Sequence, residues 1–220
     1  MVLLLALLRP LQAVNDVILR VGKGLATLAI GLMVVCILLQ VFFRYVLNNA
    51  LPWPEEAARF FMLWMTGLIA PAAYRRGGFV AIDMVQAALP GRAAHLLGLA
   101  LLAISGMVLV VAVQLGHAHV FNNCLFKSSS LWLPFELKFA LPIPFTGLDL
   151  TLCTRASPSF GFEWGWTKMP LSLAFLSLWL GVVMLLVVNL ELMLRSVIGL
   201  MGGEGALRPI MSTDLAAGGE

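Results

Sequence analysis

Four charged side chains lie close together in the sequence, between two apolar runs. Arg44 follows the first run, Glu55 and Glu56 open the second, and Arg59 comes four residues after Glu55. Residues four apart on a helix share a face, so Glu55 and Arg59 can form a salt bridge. Carboxylates in a first turn also meet the positive end of the helix dipole. The predicted chemistry is electrostatic: the cluster either only caps two helices or also fixes them and offers polar groups to another membrane subunit.

The elements that position this cluster are predicted to be membrane helices. Of 220 residues, 61% are hydrophobic and 11% are charged, whereas soluble domains have about 25% charged residues. A membrane-spanning helix needs roughly 20 mostly apolar residues. Four segments meet this requirement, the second of them only just, at about residues 25–43, 57–74, 94–116 and 170–194. The predicted fold class is therefore an all-α integral membrane protein with four transmembrane helices.

The basic residues predict the orientation of these helices, because short cytoplasmic flanks are enriched in Lys and Arg. With both termini inside, the cytoplasmic flanks hold Arg9, Arg20, Lys23, Arg75, Arg76, Arg92, Arg195 and Arg208. An N-in, C-in topology is therefore predicted. The net charge of +3 is ordinary for such a membrane protein, and no nucleic-acid partner is expected.

Five parts are predicted along the chain. They are a cytoplasmic or interfacial N-terminal segment (1–23), transmembrane helices 1–3 (24–116), a periplasmic loop insertion (117–168), transmembrane helix 4 (169–195) and a flexible cytoplasmic tail (196–220). The opening run 2–8 is too short to span a bilayer and has no basic residue before it, so we expect an interfacial helix and not a signal peptide.

The predicted loop insertion is far longer than the roughly 2–8 residues usual between helices, so it is expected to carry structure of its own. Its apolar stretch 131–141 is expected to lie on the bilayer surface or against a partner. Cys124 and Cys153 both fall in this loop, where an oxidising periplasm allows either a disulfide or two free thiols. Cys36 lies within the first predicted span and is read as a small apolar residue.

The cysteine and histidine positions argue against two redox classes. A thiol oxidoreductase needs a closely spaced reactive pair, and the chain has no Cys-x-x-Cys. A haem-bearing anchor needs histidines inside facing spans, whereas His95, His117 and His119 lie near span ends. The pair His117 and His119 also supplies too few ligands for a metal site. A four-helix membrane anchor or redox subunit of a respiratory or thiol-oxidising complex remains the alternative function.

A longer pattern surrounds the charged cluster. It comprises residues 40–48 (QVFFRYVLN), Leu51-Pro52-Trp53, residues 55–60 (EEAARF), Trp64, residues 72–78 (AAYRRGG) and Asp83. In this order the residues resemble the small membrane subunit, or DctQ-type small permease, of tripartite ATP-independent periplasmic (TRAP) transporters. The positions that carry the resemblance, and that we expect to serve fold and assembly, are Arg44, Tyr45, Trp53, Glu55, Glu56, Arg59, Trp64, Arg75 and Arg76.

Two features depart from the family pattern. The family often has a histidine soon after the Arg-Gly loop, where this chain reads Gly78-Phe79-Val80. The loop between the third and fourth spans is also much longer than the family's usual connection.

The resemblance implies a division of labour. A large DctM-type membrane subunit would move the solute with sodium ions, and a periplasmic binding protein would deliver it, commonly as an organic acid. This chain would be a static, non-enzymatic scaffold in the bacterial inner membrane, in contact with lipid and without catalytic, cofactor or metal residues. Small residues that let helices approach closely are candidates for its partner face, among them Gly24, Gly31, Gly67 and Ala70.

Overall fold

The computed structural model describes residues 2–76, 91–122, 126–142, 149–152 and 161–201. These residues are mostly helical. The described helices are α1 (Val2–Tyr45), α2 (Trp53–Arg75), α3 (Gly91–Asn122) and α4 (Leu171–Leu200). The described strands are β1 (Lys127–Pro142), β2 (Asp149–Leu152) and β3 (Gly161–Pro170).

Helix α1 runs unbroken for 44 residues, from the expected N-terminal helix into the first predicted span. Pro10 lies inside it, near the N-terminus, where the missing N–H removes one helical hydrogen bond. The helix ends where Asn48 adopts a positive φ of 48°, a conformation that Asn tolerates better than most residues. The Asn49 N–H then donates to the Phe43 carbonyl at 3.0 Å, which satisfies a carbonyl of the last turn.

Within the described residues, three helical stretches are long and apolar enough to cross a membrane: Leu8–Tyr45, Leu96–Val120 and Leu171–Leu200. Helix α2 is not among them. It is 23 residues long and carries Glu55 and Glu56 in its first turn and Arg75 in its last. The membrane nature of the chain is therefore supported by α1, α3 and α4, and the fourth span stays a prediction.

The described part of the long loop contains a sheet, so the expectation of an all-α fold was wrong here. Its strand order is β2-β1-β3, and both pairings are antiparallel. Strand β3 leads directly into α4, whose first residue, Leu171, donates its N–H to the Phe126 carbonyl at 3.0 Å. Strand pairing depends on residues far apart in sequence, which helix-oriented hydrophobic patterns do not reveal.

The chain divides into two compact units. The first comprises the described parts of Met1–Lys23, Ile69–Val111 and Val182–Glu220, and the second those of Gly24–Leu68 and Ala112–Gly181. The core of the first unit is formed by Leu19, Ala72 and Val188, with Tyr74 and Leu192 packed against it. This core joins α1, α2 and α4. The second unit contains the sheet and the start of α2.

Candidate functional site

The predicted charged cluster lies at the end of α1 and the start of α2, in the second unit. Glu55 and Arg59 form the salt bridge expected from their spacing, with Oε1 and Nη2 2.5 Å apart. Their side chains are 53% and 74% exposed, and exposed pairs stabilise a protein by only about 0–1 kcal/mol. The Arg44 guanidinium instead lies 5.9 Å from the ring centre of Tyr45. Among the described residues, Arg44 forms no salt bridge with either glutamate.

Glu56 connects the start of α2 to the start of β1. Its carboxylate accepts hydrogen bonds from the Ser128 and Ser129 hydroxyls. The backbone N–H groups of Ser130 and Leu131 both donate to Oε2 at 3.2 Å. We call Ser128–Leu131 the serine clamp. Four donors on one carboxylate tie the helix to the strand more specifically than the exposed Glu55 pair does.

The serine clamp is a bulge in β1. Lys127 pairs with Pro170, and the next pair is Trp132 with Lys168, so β1 advances five positions while β3 advances two. The extra residues of a bulge leave the ladder and re-aim their polar groups. Here those groups are the serine hydroxyls and two N–H groups that surround Glu56. The bulge therefore creates the binding geometry for the carboxylate.

The serine clamp changes the acidity of Glu56. Burial alone would raise its pKa, but the hydrogen bonds from Ser128, Ser129 and Ser130 outweigh this effect and lower the pKa from 4.5 to about 2. A depressed folded-state pKa contributes stability above the unfolded value, and this contribution is lost as the pH falls through the folded value. The clamp should therefore be fully effective above about pH 4.5 and weaken between pH 4.5 and 2.

The remaining predicted site residues lie along α2. Trp53, its first residue, is 39% exposed. Trp64 is partly buried, its ring 6.0 Å from that of Phe60, and within the described part its buried indole N–H has no hydrogen-bond partner. Arg75 is the last residue of the helix and Arg76 follows it, and both belong to the first unit. The predicted site is thus divided between the two ends of α2.

Arg75 belongs to a buried ion-pair network that the sequence pattern did not reveal. Its Nη2 donates to Glu191 Oε1 at 2.8 Å, and its Nη1 donates to Asp16. Glu191 also accepts from Asn15 Nδ2 at 2.7 Å and from Arg195 Nε at 3.2 Å. One carboxylate thus holds side chains from α1 and α2 as well as from its own helix, α4.

The charged groups of this network other than Asp16 are largely buried, so each of them needs a partner of opposite charge. Glu191 is fully buried, and the Arg75 and Arg195 side chains are only 9% and 13% exposed. The network balances two carboxylates, Glu191 and Asp16, against two guanidinium groups. A buried charge is tolerated only when it is paired and hydrogen-bonded, so removing one partner is costly. In the described structure, the Arg75 Nε atom is the network's buried donor without an acceptor.

A neutral hydrogen-bond relay lies beside the network in the first unit. The Tyr74 hydroxyl donates to Asn189 Oδ1 at 2.6 Å and lies 3.2 Å from Ser105 Oγ. Asn189 Nδ2 donates to the Leu102 carbonyl at 3.1 Å. A Cβ atom at Gly106 would lie only 2.8 Å from Asn189 Nδ2, so the glycine leaves room for the amide. The relay connects α2, α3 and α4.

Polar residues within the apolar helices partly indicate the members of the buried network and the relay that the family motif does not include. Asn189 and Glu191 interrupt the apolar run of α4, and Asn15-Asp16 interrupts that of α1. Polar residues inside apolar helices are expected to face protein partners. Their spacing does not identify those partners, because Asn15 and Glu191 are 176 positions apart.

Gly67 was expected to mark a partner face, but it packs within the chain. A Cβ atom there would clash with the Ser177 carbonyl oxygen and lie 2.8 Å from its carbon. A Cβ atom at Gly181 would likewise lie 2.9 Å from the Gly67 Cα atom. This close approach joins α2 to α4 within the second unit. At Gly24 and Gly31, in contrast, no atom of the described residues lies within 4 Å of an added Cβ atom.

Other predicted residues have simpler positions. His117 and His119 lie near the end of α3, their rings 6.1 Å and 5.0 Å from those of Trp179 and Phe175. Cys36 is a partly buried free thiol. Several predicted features lie outside the described residues: Cys124 and Cys153, the motif residues Gly77, Gly78 and Asp83, and the tail beyond Met201.

Comparison with known proteins gives one finding. A family model described as the DctQ component of tripartite ATP-independent periplasmic transporters matches residues 33–199. The match covers more than half of the 220 residues. It includes Arg75 and Glu191, whereas Asn15 and Asp16 precede it. Neither curated proteins nor solved structures give a match.

Proposed function

The chain belongs to the DctQ family, the small membrane subunits of tripartite ATP-independent periplasmic transporters, and on that premise we propose that it is a rigid, non-catalytic scaffold. Its large partner would be a DctM-type carrier that performs the transport. Uptake would be coupled to sodium ions and would depend on a periplasmic binding protein. The solute would be an organic acid, as the family resemblance implies.

The observation that carries the scaffold proposal is that both carboxylate oxygens of Glu191 accept hydrogen bonds from other side chains of the chain. This fully buried carboxylate accepts from Asn15, Arg75 and Arg195. A residue that binds a transported ion needs exchangeable ligand positions, whereas both oxygens of Glu191 are already held by the protein. Such a closed arrangement supports a role in fixing helices.

Exposed apolar helix surfaces support a role in assembly. In the most apolar stretch of α3 none of the residues is buried, and in that of α1 only 11% are, against 28% in α4. Lipid and the large subunit would cover these surfaces. Gly24 and Gly31 on α1 offer the close approach that helices need inside a membrane. We propose this stretch of α1 as part of the partner face.

The proposed topology places both termini in the cytoplasm of a bacterial inner-membrane protein, with α2 as a fourth span. Arg9, Arg20 and Lys23 precede the predicted first span at about residues 25–43, as the positive-inside rule requires. The Glu55 and Glu56 end of α2 and the sheet would then face the periplasm.

The first experiment is a mild-detergent pull-down of the tagged chain from its native membrane, with the retained proteins identified by mass. We expect a stoichiometric multi-span carrier, and a periplasmic binding protein when solute is present. Recovery of the chain alone, or with redox proteins, would contradict the transporter assignment.

A second experiment separates a scaffold from a transport role. The complex carrying Arg75→Gln together with Glu191→Gln is reconstituted in vesicles, and uptake is measured per assembled complex with and without a sodium gradient. The scaffold proposal predicts less assembled complex but the same sodium dependence and the same solute preference. A changed sodium dependence at equal amounts of complex would show that the network takes part in transport.

A further inference from the structure

The sheet carries an exposed aromatic and basic surface close to the point where the chain enters α4. Trp132 and Trp166 are 52% and 73% exposed. Trp132 pairs directly with Lys168 across β1 and β3, and the Lys168 ammonium lies 5.8 Å from the Trp132 ring centre. Directly paired residues of antiparallel strands share one face of the sheet. Two exposed tryptophan rings and a lysine ammonium group thus lie together on the outer surface of the sheet.

The opposite face of the same strands turns towards the protein. Met169, next to Lys168, is only 4% exposed, and Leu133 and Thr167, which pair with each other, are partly buried. Alternate residues of a strand point to opposite faces. The pair formed by β1 and β3 therefore has a buried inner face and an exposed outer face, and Trp132 and Trp166 lie on the outer face.

The position of this surface relative to a membrane follows from the continuity of β3 and α4. Leu171 directly follows the strand and is the first residue of a stretch able to span a bilayer. Strands rise about 3.3 Å per residue, so Lys168 lies roughly 10 Å from Leu171. The headgroup layer is about 5–8 Å thick on each side of the apolar core. The long Lys and Trp side chains can therefore reach it.

The charges near this point favour an anionic partner. Lys127 pairs with Pro170, and the Phe126 carbonyl accepts the Leu171 N–H, so Lys127 lies at the same level as the start of α4. The neighbouring carboxylate of Glu56 is occupied by the serine clamp. Lys127 and Lys168 remain to meet phosphate groups, and Trp residues are typical of the membrane interface.

We propose that Trp132, Trp166, Lys127 and Lys168 form a lipid-binding surface that lies in the headgroup layer and binds anionic phospholipid. This surface would seat the sheet on the bilayer where α4 enters it. The proposal requires that α4 crosses the membrane and is independent of the transported solute and of the large subunit.

The test uses the full chain in phosphatidylcholine vesicles whose acyl chains carry bromine either near the carbonyl end or near the chain terminus. Bromine quenches nearby tryptophans, so the shallow label reports on the interface. We expect Trp132→Phe with Trp166→Phe to remove roughly two thirds of the shallow quenching, because these are two of the three tryptophans that are exposed among the described residues, the third being Trp53 at a helix end. Unchanged shallow quenching would overturn the proposal.

Trp179→Phe is the matched depth control. Trp179 lies eight residues into α4 and donates to the Val113 carbonyl, about 12 Å deeper along the helix axis than Leu171. Its replacement should reduce quenching by the deep label and spare quenching by the shallow one. The proposal would also fail if the double tryptophan variant lost affinity for the periplasmic binding protein while its lipid quenching stayed unchanged. The surface would then serve a protein partner.

The lysines are tested by lipid selectivity. The full chain is purified from vesicles of equal phosphatidylglycerol and phosphatidylcholine content, and the retained lipids are quantified. Each lysine near a membrane surface favours anionic lipid by about fivefold. Lys127→Gln with Lys168→Gln should lower the retained ratio of phosphatidylglycerol to phosphatidylcholine. An unchanged ratio in a folded variant would overturn the anionic preference.

Discussion

Replacing Arg75 by Gln should destabilise the protein far more than removing any exposed charge. The variant deprives fully buried Glu191 of its hydrogen bond at 2.8 Å. Losing one partner of a buried ion pair costs about 3–5 kcal/mol. Because Asn15 and Arg195 remain as donors to Glu191, we expect the lower end, about 3 kcal/mol. The 54% exposed Asp16 should add less than about 0.5 kcal/mol.

Arg59→Gln provides the matched control, since it removes the same group from an exposed pair on the same helix. That pair should contribute no more than about 0.5 kcal/mol. The free energy of unfolding is measured by titrating the purified chain with a denaturing detergent and following helix content by circular dichroism. In thermal unfolding, the Arg75 variant should lose roughly 6–12 °C and the Arg59 variant about 2 °C at most.

A double-mutant cycle identifies the source of the loss. Arg75→Gln combined with Glu191→Gln removes both charges, so the double variant should be more stable than the sum of the single losses predicts, by at least about 1 kcal/mol. Equal destabilisation by Arg75→Gln and Arg59→Gln, or strict additivity in the cycle, would refute the view that the buried pair holds these helices.

Three further predictions concern the serine clamp, the glycine contact and the neutral relay. Glu56→Ala should speed hydrogen exchange of the backbone amides at the start of β1 about tenfold, while Glu55→Ala leaves their exchange unchanged. In the unmodified protein the protection of these amides should persist down to about pH 4.5 and disappear towards pH 2. Equal exchange in the two variants would contradict the serine clamp. Gly67→Ala should lower the free energy of unfolding by about 1–3 kcal/mol, because the added methyl group clashes with the α4 backbone, whereas Gly31→Ala should change it by no more than about 0.5 kcal/mol. Equal unfolding midpoints for the two variants would count against the close contact between α2 and α4. Tyr74→Phe should cost about 1 kcal/mol in the same titration, and an unchanged midpoint would mean that the relay adds no stability.

Much of the helical architecture was predictable because its causes are local. Long apolar runs predicted the spans that α1, α3 and α4 can provide. A four-residue spacing predicted the Glu55–Arg59 pair, since helical geometry alone brings such residues together. The order of aromatic, arginine, tryptophan and glutamate residues also resembled one transporter family, and the family match confirmed this resemblance.

The loop shows where local patterns were insufficient. The loop was expected to carry structure of its own, but no strand was predicted within it, and the fold was expected to be all-α. Pairing of Trp132 with Lys168 and of Ala140 with Thr151 determines the sheet. Neither pair follows from a periodicity within one segment, because the partners are brought together only by folding.

The sequence by itself therefore determined the membrane class, the helices and the family, because hydrophobicity and helical spacing act over short distances. Only the tertiary structure decided which polar groups meet. Glu56 was predicted to interact near its own helix end and instead also accepts from serines 72 and 73 positions away. Arg75 was assigned to a motif, but its buried partner Glu191 is 116 positions away. A buried charge must find a partner, and helix packing determines which residue that partner is.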